Sequence, residues 1–221
     1  MTAPIRVLIV DDDALVRSAL SYMLSGAEGI QVVGEAGDGE AAVSAVAAHS
    51  PDVVLMDIRM PRVDGLEATR RLRQRGVAVP IIVLTTFDAD EYVLQALRAG
   101  ANGFLLKDTP PPEIVAAIRR AAAGDAVLSP TVTRQLIEYV TATDPVSNPR
   151  RERARALLDR LSEREREVAI AIGQGKSNAE ISAELFMSVA TVKAHVSRLL
   201  SKLEVSNRVQ IALLAHDAEL S

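Results

Sequence analysis

Five short apolar runs punctuate the first half of the chain, at residues 5–10, 30–33, 53–56, 81–84 and 103–106. Most are dense in Val, Ile or Leu with no polar alternation, the pattern of strands covered on both faces. Between and after them lie segments of helical period at about 14–25, 39–49, 64–75, 89–99 and 111–123. Strand and helix in strict alternation predict an α/β fold, a five-stranded, doubly wound parallel sheet. In such a sheet the chemistry gathers at the carboxyl ends of the strands.

The alternation stops after Gly124. Residues 130–142 have the pattern of one more helix, with Pro130 suited to its first turn. Residues 143–155 are polar and interrupted by Pro145 and Pro149, which reads as a linker. From Leu157 onward only helical patterns occur. Ser162–Glu165 and Ser177–Glu180 match the S-x-x-E capping box, and Ser188 and Ser206 are candidate N-caps for two later helices. The expected organisation is therefore an α/β domain over 1–124, a linker helix and flexible linker over 125–156, and a small all-α domain over 157–221.

Charge divides along the same line. The formal net charge is −4, which by itself speaks against a nucleic-acid partner. Residues 1–125, however, carry 12 basic and 17 acidic side chains, whereas residues 150–221 carry 12 basic and 10 acidic ones. There are no cysteines, which excludes disulfides, thiol catalysis and Cys-ligated zinc. The apolar runs are too short to span a bilayer, and the three aspartates at 11–13 interrupt any signal-like N-terminal stretch. A cytoplasmic protein without a membrane partner is expected.

Strand ends carry the candidate chemistry. The first apolar run ends in Asp11-Asp12-Asp13 and the third in Asp57, so a parallel sheet crowds several carboxylates onto one edge. Asp13, directly before a helical segment, reads as that helix's cap. The others repel one another unless a hard divalent cation sits among them, and few protein oxygens with several waters suit Mg²⁺. The fourth run ends in Thr85-Thr86 and the fifth in Lys107. A carboxylate, a hydroxyl and an ammonium converging beside Mg²⁺ are suitable parts for phosphoryl transfer.

The segments IRVLIVDDD, DVVLMDIRMPRVDGLEA, PIIVLTTFD and AGANGFLLKD together resemble the receiver domain of two-component response regulators, over about residues 4–123. That resemblance implies the CheY-like, flavodoxin-like version of the fold. It makes Asp57 the phosphoacceptor, and Asp57 itself, Asp12, Asp11 (largely through water) and the backbone carbonyl of Arg59 the Mg²⁺ ligands. Thr85 and Phe104 become the switch pair and Lys107 the partner of the phosphoryl group; Thr86 receives no role. Two departures stand out. Asp108 rather than proline follows Lys107, and the switch aromatic is Phe104 rather than tyrosine. Arg59 and Phe87, two places after Asp57 and Thr85, are expected to screen an acyl phosphate from water.

An enzyme alternative shares some of these residues. Asp11-x-Asp13 also fits the D-x-D nucleophile motif of haloacid-dehalogenase-type phosphatases. Those enzymes want Thr or Val where this chain has Leu15, and a late acidic metal pair that Asp108, Glu113 and Asp125 do not supply. The expectation is no enzyme, beyond a receiver that assists its own phosphorylation and dephosphorylation.

In the last third, residues 177–203 read as helix, tight turn, helix. On the second helix Val192, Val196, Leu199, Leu200 and Leu203 form one apolar stripe, opposite the small residues Ala190, Ala194, Ser197 and Ser201. A small-residue face edged by Lys193 and Arg198 suits insertion into a major groove. His195, nearer the apolar edge, reads as a packing or phosphate-contact residue. The segment LSEREREVAIAIGQGKSNAEISAELFMSVATVKAHVSRLLSKLEVSNRVQ resembles the LuxR-type helix-turn-helix of NarL/FixJ-class regulators, with the motif at about 178–203. That resemblance puts Lys193, Ala194 and Ser197 at the bases, and Thr191, Arg198, Lys202 and Lys176 at phosphates. Because Ala194 and Ser197 are short, specific binding would need a homodimer on paired half-sites of double-stranded promoter DNA. The final helix, expected at 209–220, offers Ile211, Leu213, Leu214 and Ala215 for self-association.

The combination implies a DNA-binding response regulator controlled by a sensor histidine kinase through Asp57. The alternative is a transcription regulator whose receiver works without phosphorylation, as an interaction module. The complete Asp12, Asp57, Thr85 and Lys107 set argues against that alternative.

Overall fold

A computed structural model describes residues 3–85, 90–128 and 148–218. These residues form two compact units, one on either side of the undescribed segment 129–147. The helix expected at 130–142, as well as Thr86 and Phe87, lies outside the described residues.

The first unit alternates β1 (Ile5–Val10), α1 (Ala14–Ser25), β2 (Ile30–Ala36), α2 (Gly39–His49), β3 (Val53–Asp57) and α3 (Gly65–Gln74). It continues with β4 (Ile81–Thr85), α4 (Asp90–Ala99), β5 (Gly103–Leu106), α5 (Pro111–Ala122) and β6 (Val127–Leu128). All strand pairs are parallel, in the order β2-β1-β3-β4-β5-β6. The sheet thus has the five expected strands and a sixth. β6 is only two residues long, too short to leave a periodic signal, and it pairs with Gly103 and Phe104.

The apolar runs are buried because both faces of the sheet are covered. Val7 and Ile9 pack into one core with Leu55, Leu84 and Ile118, while Leu8 and Val10 pack into the other with Val54, Met56 and Leu72. One strand therefore feeds two cores by the period-2 alternation of its side chains. The strand ends align in register: Val10 opposes Met56, Asp57 opposes Leu84, and Thr85 opposes Leu106. Gly65 lets α3 start directly on this edge, since a Cβ there would lie 1.9 Å from the Asp57 carbonyl oxygen.

The second unit is all helical: α6 (Asn148–Leu158), α7 (Glu163–Gly173), α8 (Asn178–Glu184), α9 (Val189–Leu203) and α10 (Arg208–Asp217). Residues 148–156 are not the linker that their polarity implied. Pro149 stands in the first turn, where a missing N–H costs nothing, and Ala154 and Leu158, spaced by four, are buried in the helical core. Both S-x-x-E segments form capping boxes and Ser188 caps α9. At α10 the cap is Asn207 rather than Ser206: Asn207 accepts from Gln210 N–H, and Ser206 N–H donates to Gln210 Oε1 at 2.8 Å. Ile211 and Ala215 are buried within this unit, which removes them from the set available for self-association. Among the described residues, no helix is long and apolar enough to cross a membrane.

Two polar links set the helices against one another. Arg208, 8% exposed, donates to Asn178 Oδ1 (3.0 Å) and to the Lys176 carbonyl (2.6 Å), joining the starts of α10 and α8. Glu165, 4% exposed, closes the cap of α7 and accepts from Lys202 Nζ of α9 at 2.7 Å. The Lys202 bond, then the Ser162 N–H, hold the Glu165 carboxyl down at about 2. A depressed carboxyl stabilises the fold above its unfolded value near 4.5 and loses that effect as pH falls towards about 2. Glu165→Gln is therefore expected to lower the stability of this unit by about 1–2 kcal/mol at neutral pH, the half-exposed ammonium limiting the size. In denaturation series, the gap to wild type should close between about pH 4.5 and pH 2. A pH-independent gap would show that lost packing, not charge, is responsible.

Candidate functional site

The carboxyl edge of the sheet brings together residues that lie far apart in sequence. Asp11 (1% exposed) and Asp57 (5% exposed) are buried, and Asp12 faces solvent. One oxygen of each lies within 4.8 Å of the other two. Lys107, just past β5, lays its ammonium 2.6 Å from Asp11 Oδ2 and 3.2 Å from Asp57 Oδ2. Asp57 Oδ1 accepts the Ile58 N–H at 2.8 Å, and Asp11 Oδ1 accepts the Asp13 N–H at 3.0 Å. Asp13 caps α1 through Leu15 N–H, as its position implied.

Thr85, buried at the end of β4, stands one residue beyond the register partner of Asp57, and its carbonyl accepts the Lys107 N–H at 2.7 Å. That bond fixes the backbone from which the Lys107 side chain springs. Phe104 is buried in β5 beside Val83. Arg59 reaches α4 with its side chain: the guanidinium carbon lies 5.4 Å from the centre of the Tyr92 ring, and Nη2 lies 3.4 Å from the hydroxyl. The screening expected of Arg59 thus competes with a contact on Tyr92.

The sequence reading missed Arg17. From the second turn of α1 its Nη1 donates to the Asp11 carbonyl (2.8 Å) and the Asp12 carbonyl (3.3 Å), and Nε pairs with Glu35 at 3.4 Å. It steadies the loop that presents the acidic residues. The only sequence signal was a lone cation, five and six residues after Asp12 and Asp11, in an otherwise neutral helix.

Burial raises the Asp57 carboxyl above its ordinary value despite Lys107, and Asp11 adds to the rise. Burial works against the Lys107 ammonium, but its contacts with Asp11 and Asp57 prevail and raise it. One ammonium thus faces two buried carboxylates and a third at the rim. Asp11 Oδ2 takes the Lys107 ammonium at 2.6 Å, and its second lone pair keeps acceptor capacity. Hard oxygens in excess negative charge fit Mg²⁺, with waters completing its shell.

The second unit presents the exposed face of α9. Thr191, Lys193, Ala194, Ser197 and Arg198 are exposed, while Val192, Val196, Leu199 and Leu203 are buried. His195 is half-buried, its Nδ1 buried without a hydrogen-bond partner. Two cations expected at phosphates are engaged within the unit: Lys176 pairs with Glu184 at 2.5 Å and Lys202 with Glu165 at 2.7 Å.

Comparison with known proteins finds a match for each unit. Residues 7–119 match the response regulator receiver domain, and residues 159–215 match the bacterial regulatory proteins of the luxR family. The transcriptional regulatory protein LiaR of Bacillus subtilis is 39% identical over 212 residues, covering 96% of this chain and 97% of that protein. The nitrate/nitrite response regulator NarL of Escherichia coli K12 is 34% identical over 217 residues, covering 98% and 97%. The crystal structure of the response regulator ChrA of a heme-sensing two-component system is 36% identical, with a TM-score of 0.53 and full coverage of both chains.

Because folding disfavours the ionised Asp57, that cost is absent below its unfolded value of 3.8 and is fully present above its raised folded value. Asp57→Asn should therefore melt at or above the wild-type midpoint at neutral pH without divalent cations. Added Mg²⁺ should raise the wild-type midpoint, by about 1.4 kcal/mol of stability at ten times its dissociation constant, and should raise the variant's less. Equal Mg²⁺ responses would exclude Asp57 from the metal's ligands.

Proposed function

The chain belongs to the two-component response regulators that carry a luxR-family DNA-binding domain, and on that premise we propose how its own residues do the work. The receiver spans 1–124 and the DNA-binding domain 157–221. Asp57 is the phosphoacceptor. Its carboxylate oxygen attacks the phosphorus of a phosphohistidine on a sensor histidine kinase; the new O–P bond forms as the P–N bond breaks, and the electron pair returns to the imidazole. Asp11, Asp12, Asp57 and the Arg59 carbonyl would hold Mg²⁺, which supplies counter-charge to the phosphoryl oxygens. The observation that carries this reading is the Lys107 ammonium, held between Asp11 and Asp57 at 2.6 and 3.2 Å.

Lys107 serves the acceptor before and after transfer. It offsets the two buried carboxylates at rest, then pairs with a phosphoryl oxygen. Thr85 donates its hydroxyl to another oxygen, and Phe104 follows that movement by changing rotamer. The receiver assists its own phosphorylation and dephosphorylation and turns over no separate substrate. Two packings of this edge that differ in interface affinity are what a phosphorylation switch requires.

The output is transcriptional regulation by a phosphorylation-promoted homodimer on double-stranded promoter DNA in the cytoplasm. Lys193, Ala194 and Ser197 face the bases, and Thr191 and Arg198 face phosphates. Lys176 and Lys202 contribute only to the extent that phosphates draw them from Glu184 and Glu165. With side chains this short, one copy discriminates little, and two half-sites about one helical turn apart supply the rest.

A binding titration on duplex DNA, with and without phosphoramidate and Mg²⁺, tests the scheme. Wild type should bind about tenfold or more tightly when phosphorylated, a shift typical of coupled sites. Asp57→Ala should bind with its basal affinity under both conditions. Undiminished stimulation in Asp57→Ala would sink the proposal in favour of a receiver that acts without phosphorylation.

A further inference from the structure

Among the described residues, two of the large hydrophobic side chains that stand exposed are three residues apart in sequence, at the entrance to α9. Phe186 is 95% exposed and Val189, three residues on, is 41% exposed. Phe186 sits in the turn between α8 and α9 with φ of 53°, in the left-handed region. A bulky aromatic residue is strained there, whereas glycine would adopt the conformation freely. The turn is pinned around it. Met187 N–H donates to the Ser182 carbonyl at 3.0 Å, Ser182 Oγ donates to the Met187 carbonyl, and Arg164 donates to the Leu185 carbonyl. The ring is thus projected into solvent from a fixed backbone.

An aromatic side chain held in water on a strained, fixed turn is poorly suited to folding and well suited to contact. Its surroundings decide what it contacts. Val189 opens the helix whose exposed residues include Ala190, Lys193, Ala194 and Ser197, and Phe186 stands in the turn that leads into it. That face offers few side chains long enough to read a base, and apolar groups are what a thymine presents beyond its acceptor, through its C5 methyl. We infer that Phe186 and Val189 form an apolar reader of thymine methyl groups at the edge of each half-site. The inference rests on the DNA-binding reading of α9 and deepens it: Lys193 supplies charge and guanine recognition, while this pair supplies discrimination for T·A.

The test uses the full chain, phosphorylated with phosphoramidate and Mg²⁺, and a duplex that wild type enriches from a random-sequence pool. Each thymine is replaced in turn by uracil, which removes only the methyl. At one or two positions uracil should weaken wild-type binding about fourfold per methyl. Phe186→Ala should weaken binding to the thymine duplex about tenfold, and Val189→Ala about threefold. At its own position, uracil should cost a variant nothing further. Phe186→Gly should lose affinity as Phe186→Ala does while melting at or above wild type, since glycine relieves the turn; this separates contact from folding. If both variants bind like wild type, or bind weakly with the full uracil penalty retained, the inference is overturned and the pair belongs to a protein partner or to the sugar-phosphate backbone. A wild type that enriches no duplex overturns the DNA-binding reading and this inference with it.

Discussion

One ammonium between two buried carboxylates holds the receiver's chemistry in place. Lys107 joins β5 to Asp11 after β1 and to Asp57 at the end of β3, so three strands end on a single ionic cluster. Buried charges are tolerated when paired, and here the pairing falls one positive charge short. The shortfall leaves room for a divalent cation, while burial first, and then the neighbouring Asp11, raises the Asp57 carboxyl. Much of the surrounding structure serves to keep that imbalance in place. Gly65 lets α3 abut the Asp57 backbone, Arg17 steadies the acidic loop, and the Thr85 carbonyl positions Lys107.

The helical unit uses charge for the opposite purpose. Glu165 and Lys202, and Arg208 with Asn178, are nearly complete pairings that fix helices to one another. They hold α9 with its apolar stripe inward and its small residues outward. Pairing also ties Lys202 and Lys176 to carboxylates, so these two cations are less accessible to phosphates than a count of basic residues implies. Electrostatic attraction from one copy is correspondingly modest, which leaves room for apolar contacts to carry specificity.

Patterns within one element were legible in the sequence. The five apolar runs gave the parallel strands, both S-x-x-E segments gave capping boxes, and Ser188 gave the cap of α9, because each depends on neighbours at most a few residues away. Features that needed a distant partner were not legible. The polar residues up to 156 read as linker because nothing local shows that Ala154 meets a core. The cap of α10 moved from Ser206 to Asn207 because the two are equivalent by type and only the chain path chooses between them. β6 exists because Gly103 and Phe104 offer it a free edge.

The sequence by itself determined the order of strands and helices, the family, and which side chains stand at the strand ends and on α9, since these follow from short-range periodicity and motif spacing. Tertiary structure alone decided which charges are spent. Lys107 is committed to two carboxylates, Lys202 to a helix cap, Lys176 to Glu184 and Arg59 to Tyr92. It also left Phe186 in water. The physical reason is that long cationic side chains reach several partners, and the choice among them is made by burial and geometry that a linear sequence does not contain.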